Sequence, residues 1–156
     1  MRKGFTLIEI LIVVAIIAIL ASIVLIGLGP AQQSGRDARR LSDLHEIQNA
    51  LELYYNKCGF YPGAANCVGG WSNAADMTAV NQAIQGSSLG INSALPRDPN
   101  AAGSYFYESF TGGTTYTLGA KLENLNSSVF TNYTAPNNVP TGHSCTTGAQ
   151  EYCITL

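Results

Sequence analysis

Apolar and polar positions divide this chain into three unequal stretches. From Phe5 to Leu28 nearly every position is apolar, with Glu9 the single charge. From Gly27 to Gly35 the pattern breaks. After that break, apolar residues recur at three- to four-residue spacing: Leu41, Leu44, Ile47, Leu51 and Tyr54 or Tyr55. That spacing predicts an amphipathic helix with one apolar stripe, ending near Lys57 where Gly59, Pro62 and Gly63 follow. Arg36, Arg39, Arg40, Asp43 and Glu46 fall on its other faces, so the arginines read as a solvated or lipid-headgroup-facing surface. His45 lies beside the stripe as a surface or packing histidine.

Beyond residue 58 the periods shorten. Met77, Val80 and Ile84 stand at i, i+3 and i+7 before Gly86, which predicts a short helix. The segment 95–100, LPRDPN, is a tight loop: Pro96 and Pro99 cannot donate to a ladder, and Asp98 suits a turn. The strand signal follows in SYFYESF, TGGT and TYTLGAKLE. Tyr116, Leu118, Ala120 and Leu122 share one face, and Thr115, Thr117, Gly119 and Lys121 the other. A hairpin with one buried face, covered by the helix stripe, is expected.

The first segment is long enough to cross a membrane. Ile10–Leu28 is 19 residues, which as a helix covers about 28 Å, close to a bilayer's hydrocarbon core. Arg2 and Lys3 precede it, placing the N-terminus in the cytoplasm and the rest outside. No small-residue signal-peptidase site is followed by a plausible mature start. Glu9 is costly in such a segment: an ionised carboxylate at a membrane helix's centre costs about 2.5–3.5 kcal/mol on insertion scales. An anchor gains nothing from it.

These residues carry a resemblance. KGFTLIE followed by a long apolar helix resembles the class III leader of type IV prepilins and type II secretion pseudopilins. The resemblance implies cleavage after Gly4 by a prepilin peptidase and methylation of the new terminal residue, Phe5. It also implies retention of the apolar helix for assembly. The cleaved Phe5 amine would then pair with Glu9 of a neighbouring subunit, setting the register of the filament. An incidental Glu near the headgroups is the alternative. The order of loop and strands is similar to the small antiparallel sheet of that family. The expected fold is therefore α+β, a long helical spine on a small antiparallel sheet. Its parts would be a leader 1–4, a membrane or filament-core helix 5–29, an amphipathic helix 30–57 and a head 58–156. At Gly27, Gly29 and Pro30 two readings stay open: the membrane helix ends, or one continuous helix kinks there in the filament.

Composition narrows the function. With 12% charged residues and a net charge of −2, electrostatics give no support for nucleic-acid binding. The chain has no zinc-type His/Cys spacing, no Gly-rich phosphate loop and no supported nucleophile set, and His143 stands alone in a polar loop. No enzyme and no cofactor are expected. Major pseudopilins hold calcium with carboxylates near the C-terminus. After Glu123 this chain offers only Glu151, so calcium is not supported. The tail instead carries Cys145 and Cys153, which looks more like the disulfide-bounded end of type IV pilins. Exported cysteines form disulfides, and four allow three pairings. Cys58–Cys67 and Cys145–Cys153 close short turn-bearing loops and are the expected set, although loop entropy alone does not exclude crossed pairs. Asn126 and Asn132 begin glycosylation sequons of the kind chance produces in so polar a tail.

The function expected is the structural subunit of an extracellular type IV pilus, serving adhesion, motility or DNA uptake. The alternative is a pseudopilin of a secretion or competence system, and a membrane-tethered enzyme or binding module ranks far behind. The partners implied are copies of itself in a helical homopolymer, the prepilin peptidase, an assembly platform with a motor ATPase, and membrane lipid before assembly.

Overall fold

The computed structural model describes residues 4–63, 67, 77–87, 94–101, 103–124 and 128–156, with side chains for all but 24–26 and 111. Helix α1 runs from Leu7 to Cys58 and α2 from Met77 to Gly86. Strands β1 (Phe106–Phe110), β2 (Thr115–Lys121) and β3 (Glu151–Thr155) form one antiparallel sheet in that order. The architecture is α+β, a long spine laid on a small sheet. The sequon at Asn126 and the first residues of the segment expected to form α2 lie outside the described residues.

Helix α1 does not stop at the glycines. Gly27, Gly29 and Pro30 are all helical, which overturns the reading in which the membrane helix ends there. The bend falls one turn earlier, where the arms Leu7–Ile23 and Gly27–Cys58 meet at 43°. That is where a proline acts, since its ring crowds the carbonyl four residues back, here that of Ile26. Among the described residues no single straight helix qualifies as a membrane span, but these two arms together do so by length and composition. The spine closes at Gly59, whose φ of 77° allows its N–H to reach the Tyr55 carbonyl at 2.8 Å.

The distal half of α1 buries Leu44, Ile47, Ala50, Leu51 and Tyr54. This stripe faces Tyr116, Leu118, Ala120 and Leu122, each at most 1% exposed, while Val80, Ala83 and Ile84 of α2 close the side with Leu95 and Tyr105. Burial of this kind drives the fold; truncating Ile47 to Ala would cost about 2–5 kcal/mol.

The hairpin register follows from the alternation, with Phe106 opposite Gly119 and Phe110 opposite Thr115. The expectation of a single buried face does not hold. Thr117 is 0% exposed and Gly119 is also buried. The cause is the C-terminal segment, which returns to add β3 beside β2 and lays residues 138–145 over the outer face. Thr117 Oγ1 donates to the Asn138 carbonyl at 2.6 Å, and Phe106 forms a second apolar cluster with Val139, Cys145 and Cys153. Glu108 of β1 accepts from the Thr141 N–H at 2.6 Å. Disulfides join Cys58 to Cys67 and Cys145 to Cys153, with Cα separations of 5.1 and 5.6 Å.

Candidate functional site: the N-terminal assembly segment and its anchor

The start of α1 carries the chemistry that the sequence singles out. Gly4 and Phe5 are exposed just ahead of the helix, so the expected cleavage bond is open to a protease. Thr6 is the N-cap. Its hydroxyl accepts from the Glu9 N–H at 3.4 Å, while the Glu9 carboxylate accepts from the Thr6 N–H and hydroxyl, both at 2.8 Å. This reciprocal capping box satisfies donors that a helix start otherwise leaves bare. With the leader attached, the Phe5 nitrogen is a peptide nitrogen without charge, and Glu9 is held by Thr6. Thr6 is the functional residue that the sequence reading missed. Its signal was present, because T-x-x-E before an apolar run is the capping-box pattern.

Below this cap the helix is bare. Its large apolar side chains from Phe5 to Ile23 are 52–85% exposed. A contiguous apolar surface of this size marks an interaction surface. Gly27, Gly29 and Pro30 continue this exposed face, and nothing lies within 4 Å of where a Cβ would stand on either glycine.

The spine is fastened to the head by buried ions. Arg40 is 2% exposed, which corrects its reading as a solvated or headgroup-facing side chain. Its guanidinium grips Asp98 through Nε at 2.8 Å and Nη2 at 2.9 Å, and also bonds Asp37 at 2.7 Å and Glu123 at 2.8 Å. Arg36 closes a second fork on Glu123. Asp37 in turn accepts from the backbone N–H groups of Glu123 and Asn124. Arg39 alone of the three is a surface residue, 3.9 Å from Asp43 and 66% exposed.

The hydrogen bond from Asp98 raises the Arg40 pKa, against the opposing effect of burial. Glu123 is held down to about 2, first by the hydrogen bond from Arg36 and, against desolvation, by that from Arg40. Next in the row, the Tyr105 hydroxyl donates to Asp43 at 2.6 Å, and burial followed by that bond pushes its pKa up. The loop ahead of β1 and the connection after β2 thus each place a carboxylate on one arginine of the spine. The distal arm of α1, Gly27–Cys58, is fastened to the head here.

The two carboxylates weighed as metal ligands have other work: Glu123 serves the arginines, and Glu151 binds His143 and the backbone of residues 144 and 145. His143 does not stand alone as the sequence suggests. It stacks on Phe106 at 3.7 Å between ring centroids. His45 is exposed.

Residues 1–25 match the family described as the prokaryotic N-terminal methylation motif. The chain is similar to the type II secretion system core protein G of Escherichia coli strain K12, 36% identical over 61 residues, covering 39% of this chain and 42% of that protein. The core protein G of Vibrio cholerae is 38% identical over 64 residues, covering 40% of this chain and 44% of its own length. That of Aeromonas hydrophila is 34% identical over 61 residues, 39% of this chain and 43% of the relative. The chain therefore spans less than half the length of the relatives it matches. No solved structure matches. A methylation-type leader on a bare apolar helix, a spine clamped to a small antiparallel sheet, and these similarities together place the chain's resemblance with the type IV pilins and type II secretion pseudopilins.

Proposed function

We propose that this protein is a pseudopilin of a type II secretion or related competence machine, a structural subunit that polymerises through its N-terminal helix. The observation that carries the reading is the similarity to three secretion core proteins G. It favours the secretion reading over the pilus that the cysteine-bounded tail suggested. The prepilin peptidase cuts after Gly4 in the cytoplasmic membrane and methylates Phe5. Until assembly the bare arm of α1 lies in lipid, with the N-terminus cytoplasmic and the head outside. An assembly platform with its motor ATPase then extracts the subunit into a helical homopolymer, in which the apolar arms bury one another.

Glu9 acts in that transfer. Cleavage turns the Phe5 nitrogen into an amine four residues ahead of Glu9, just before the Thr6 N-cap. In the filament the amine of one subunit meets the carboxylate of the next, and each offsets a charge that is unfavourable alone in an apolar setting. The capping box with Thr6 holds the carboxylate until then. The head is a spacer and contact surface, without catalytic role or cofactor.

Deletion of the gene, with exoprotein secretion and surface filaments measured in parallel, tests the reading. Loss of secretion with surface filaments intact is the expected result. Loss of long surface filaments with normal secretion would overturn it in favour of the type IV pilus, the reading that the Cys145–Cys153 tail supports.

A further inference from the structure

Glu151 and Cys153 lie two residues apart on β3, so their side chains emerge on the same face of the strand. Both reach the same target, Cys145. Cys153 bonds it covalently, while one oxygen of Glu151 accepts from the Cys145 N–H at 2.9 Å and the Ser144 N–H at 2.7 Å. The Ser144 hydroxyl adds a third contact to that oxygen at 3.2 Å, and the other oxygen meets His143 Nδ1 at 2.9 Å. Cys145 is 0% exposed and has a φ of 50°, the left-handed region that residues with a side chain disfavour. Something must hold it there before its sulfur can face Cys153.

We propose that Glu151 is the positioning residue for the Cys145–Cys153 disulfide, templating the left-handed backbone of Cys145 so that the two thiols meet before they are oxidised. The carboxylate works by placement, because a neighbouring negative charge disfavours a thiolate and cannot activate the sulfur. Oxidation needs a small-molecule disulfide such as oxidised glutathione. One cysteine thiolate attacks it to form a mixed disulfide and releases one glutathione; the second cysteine thiolate then displaces the other. The two cysteines lose two protons and two electrons, and one oxidised glutathione becomes two reduced ones. Placement raises the effective concentration of the second thiol in that last step. The assignment is independent of the machine that the subunit serves.

The test equilibrates the full chain in detergent micelles with glutathione redox buffers, then quenches with acid, alkylates and scores each cysteine pair by mass spectrometry. Glu151→Ala should lower the effective concentration of the Cys145–Cys153 pair about tenfold or more, because it removes charge-assisted hydrogen bonds of which each ordinarily shifts an equilibrium by that much. Glu151→Gln, which keeps one acceptor oxygen, should fall between it and the parent. Cys58–Cys67 in the same molecule serves as the internal reference and should stay within about twofold, being a distant, independent site. Glu108→Ala loosens the same strap at Thr141 without touching Cys145, and should likewise leave Cys145–Cys153 in place. An unchanged pair in Glu151→Ala, an equal loss in Glu108→Ala, or a matching loss at Cys58–Cys67 would each overturn the assignment. Should Glu151→Ala fail to fold, Glu151→Gln decides alone, a selective loss supporting the proposal and no loss ending it.

Discussion

Arg40 and Asp98, 58 residues apart in the chain, meet through two hydrogen bonds of 2.8 and 2.9 Å, with each side chain 2% exposed. This fork joins the spine to the loop ahead of β1, and Glu123 joins the same guanidinium from the connection that follows β2. Such a clamp fixes the distal arm of α1 to the head.

Removing one side of that clamp should be severe. Arg40→Leu leaves Asp37 and Asp98 without their buried counter-charge while Glu123 keeps Arg36, a change that costs about 3–5 kcal/mol. Urea unfolding of the full chain in micelles measures it. Arg39→Leu is the control; its ion pair is exposed and its loss should stay below about 1 kcal/mol. Equal effects of the two variants would contradict the clamp.

Acid should release the same joint. The folded pKa of Glu123 is held at about 2, against an ordinary value of 4.5. A depressed carboxyl adds stability that is full above the unfolded value and is lost as pH falls through the folded one. Glu151 has the same sign: burial pushes its pKa up, but the bonds from Ser144, His143 and Cys145 together bring it down. The melting temperature should therefore decline between about pH 4.5 and pH 2. Glu123→Gln should flatten that decline, and a profile identical to the parent's would refute the assignment.

Gly119 should tolerate no side chain. It sits between Phe106 and Cys153 in the sheet register, and a Cβ there would overlap the Phe106 ring and come within 2.9 Å of Cys153 Sγ. Gly119→Ala overpacks the outer face and should cost about 1–3 kcal/mol. Thermal melting measures it. Pairing with Phe106→Leu should recover part of the loss by opening the space.

The processed N-terminus can be weighed directly. Intact mass of the assembled protein should match a chain that begins at methylated Phe5. A start beyond residue 20 would overturn the assembly reading altogether.

Glu9→Val should leave the subunit in the membrane, since removing a carboxylate eases insertion, while filament yield falls at least about tenfold. Cell fractionation and shear-recovered filament measure the two halves. Normal filament yield would end the case for the Phe5–Glu9 pair. Thr6→Ala tests the monomer's capping box separately, with an expected loss of about 1 kcal/mol at the helix start.

What the sequence determined by itself was everything with a short physical range. The leader, the apolar run and the odd charge at Glu9 are contiguous. The stripe from Leu41 to Tyr54 repeats at the helical period, and the alternation from Tyr116 to Leu122 sets which face meets it. Even the capping box is legible, since Thr6 and Glu9 stand three residues apart. Tertiary structure decided whatever depends on segments far apart in the chain. Arg40 looks like a surface residue because its neighbours are polar; its partners Asp98 and Glu123 arrive from 58 and 83 residues away. The outer face of β2 looks solvent-facing because Thr115, Thr117 and Lys121 are polar; it is buried because a strap of 138–145 folds back over it. Periodicity records which face of an element is apolar. It carries no record of the loop that returns to satisfy a polar one, because the free energy of burying a guanidinium or a hydroxyl depends on partners that only the folded chain supplies.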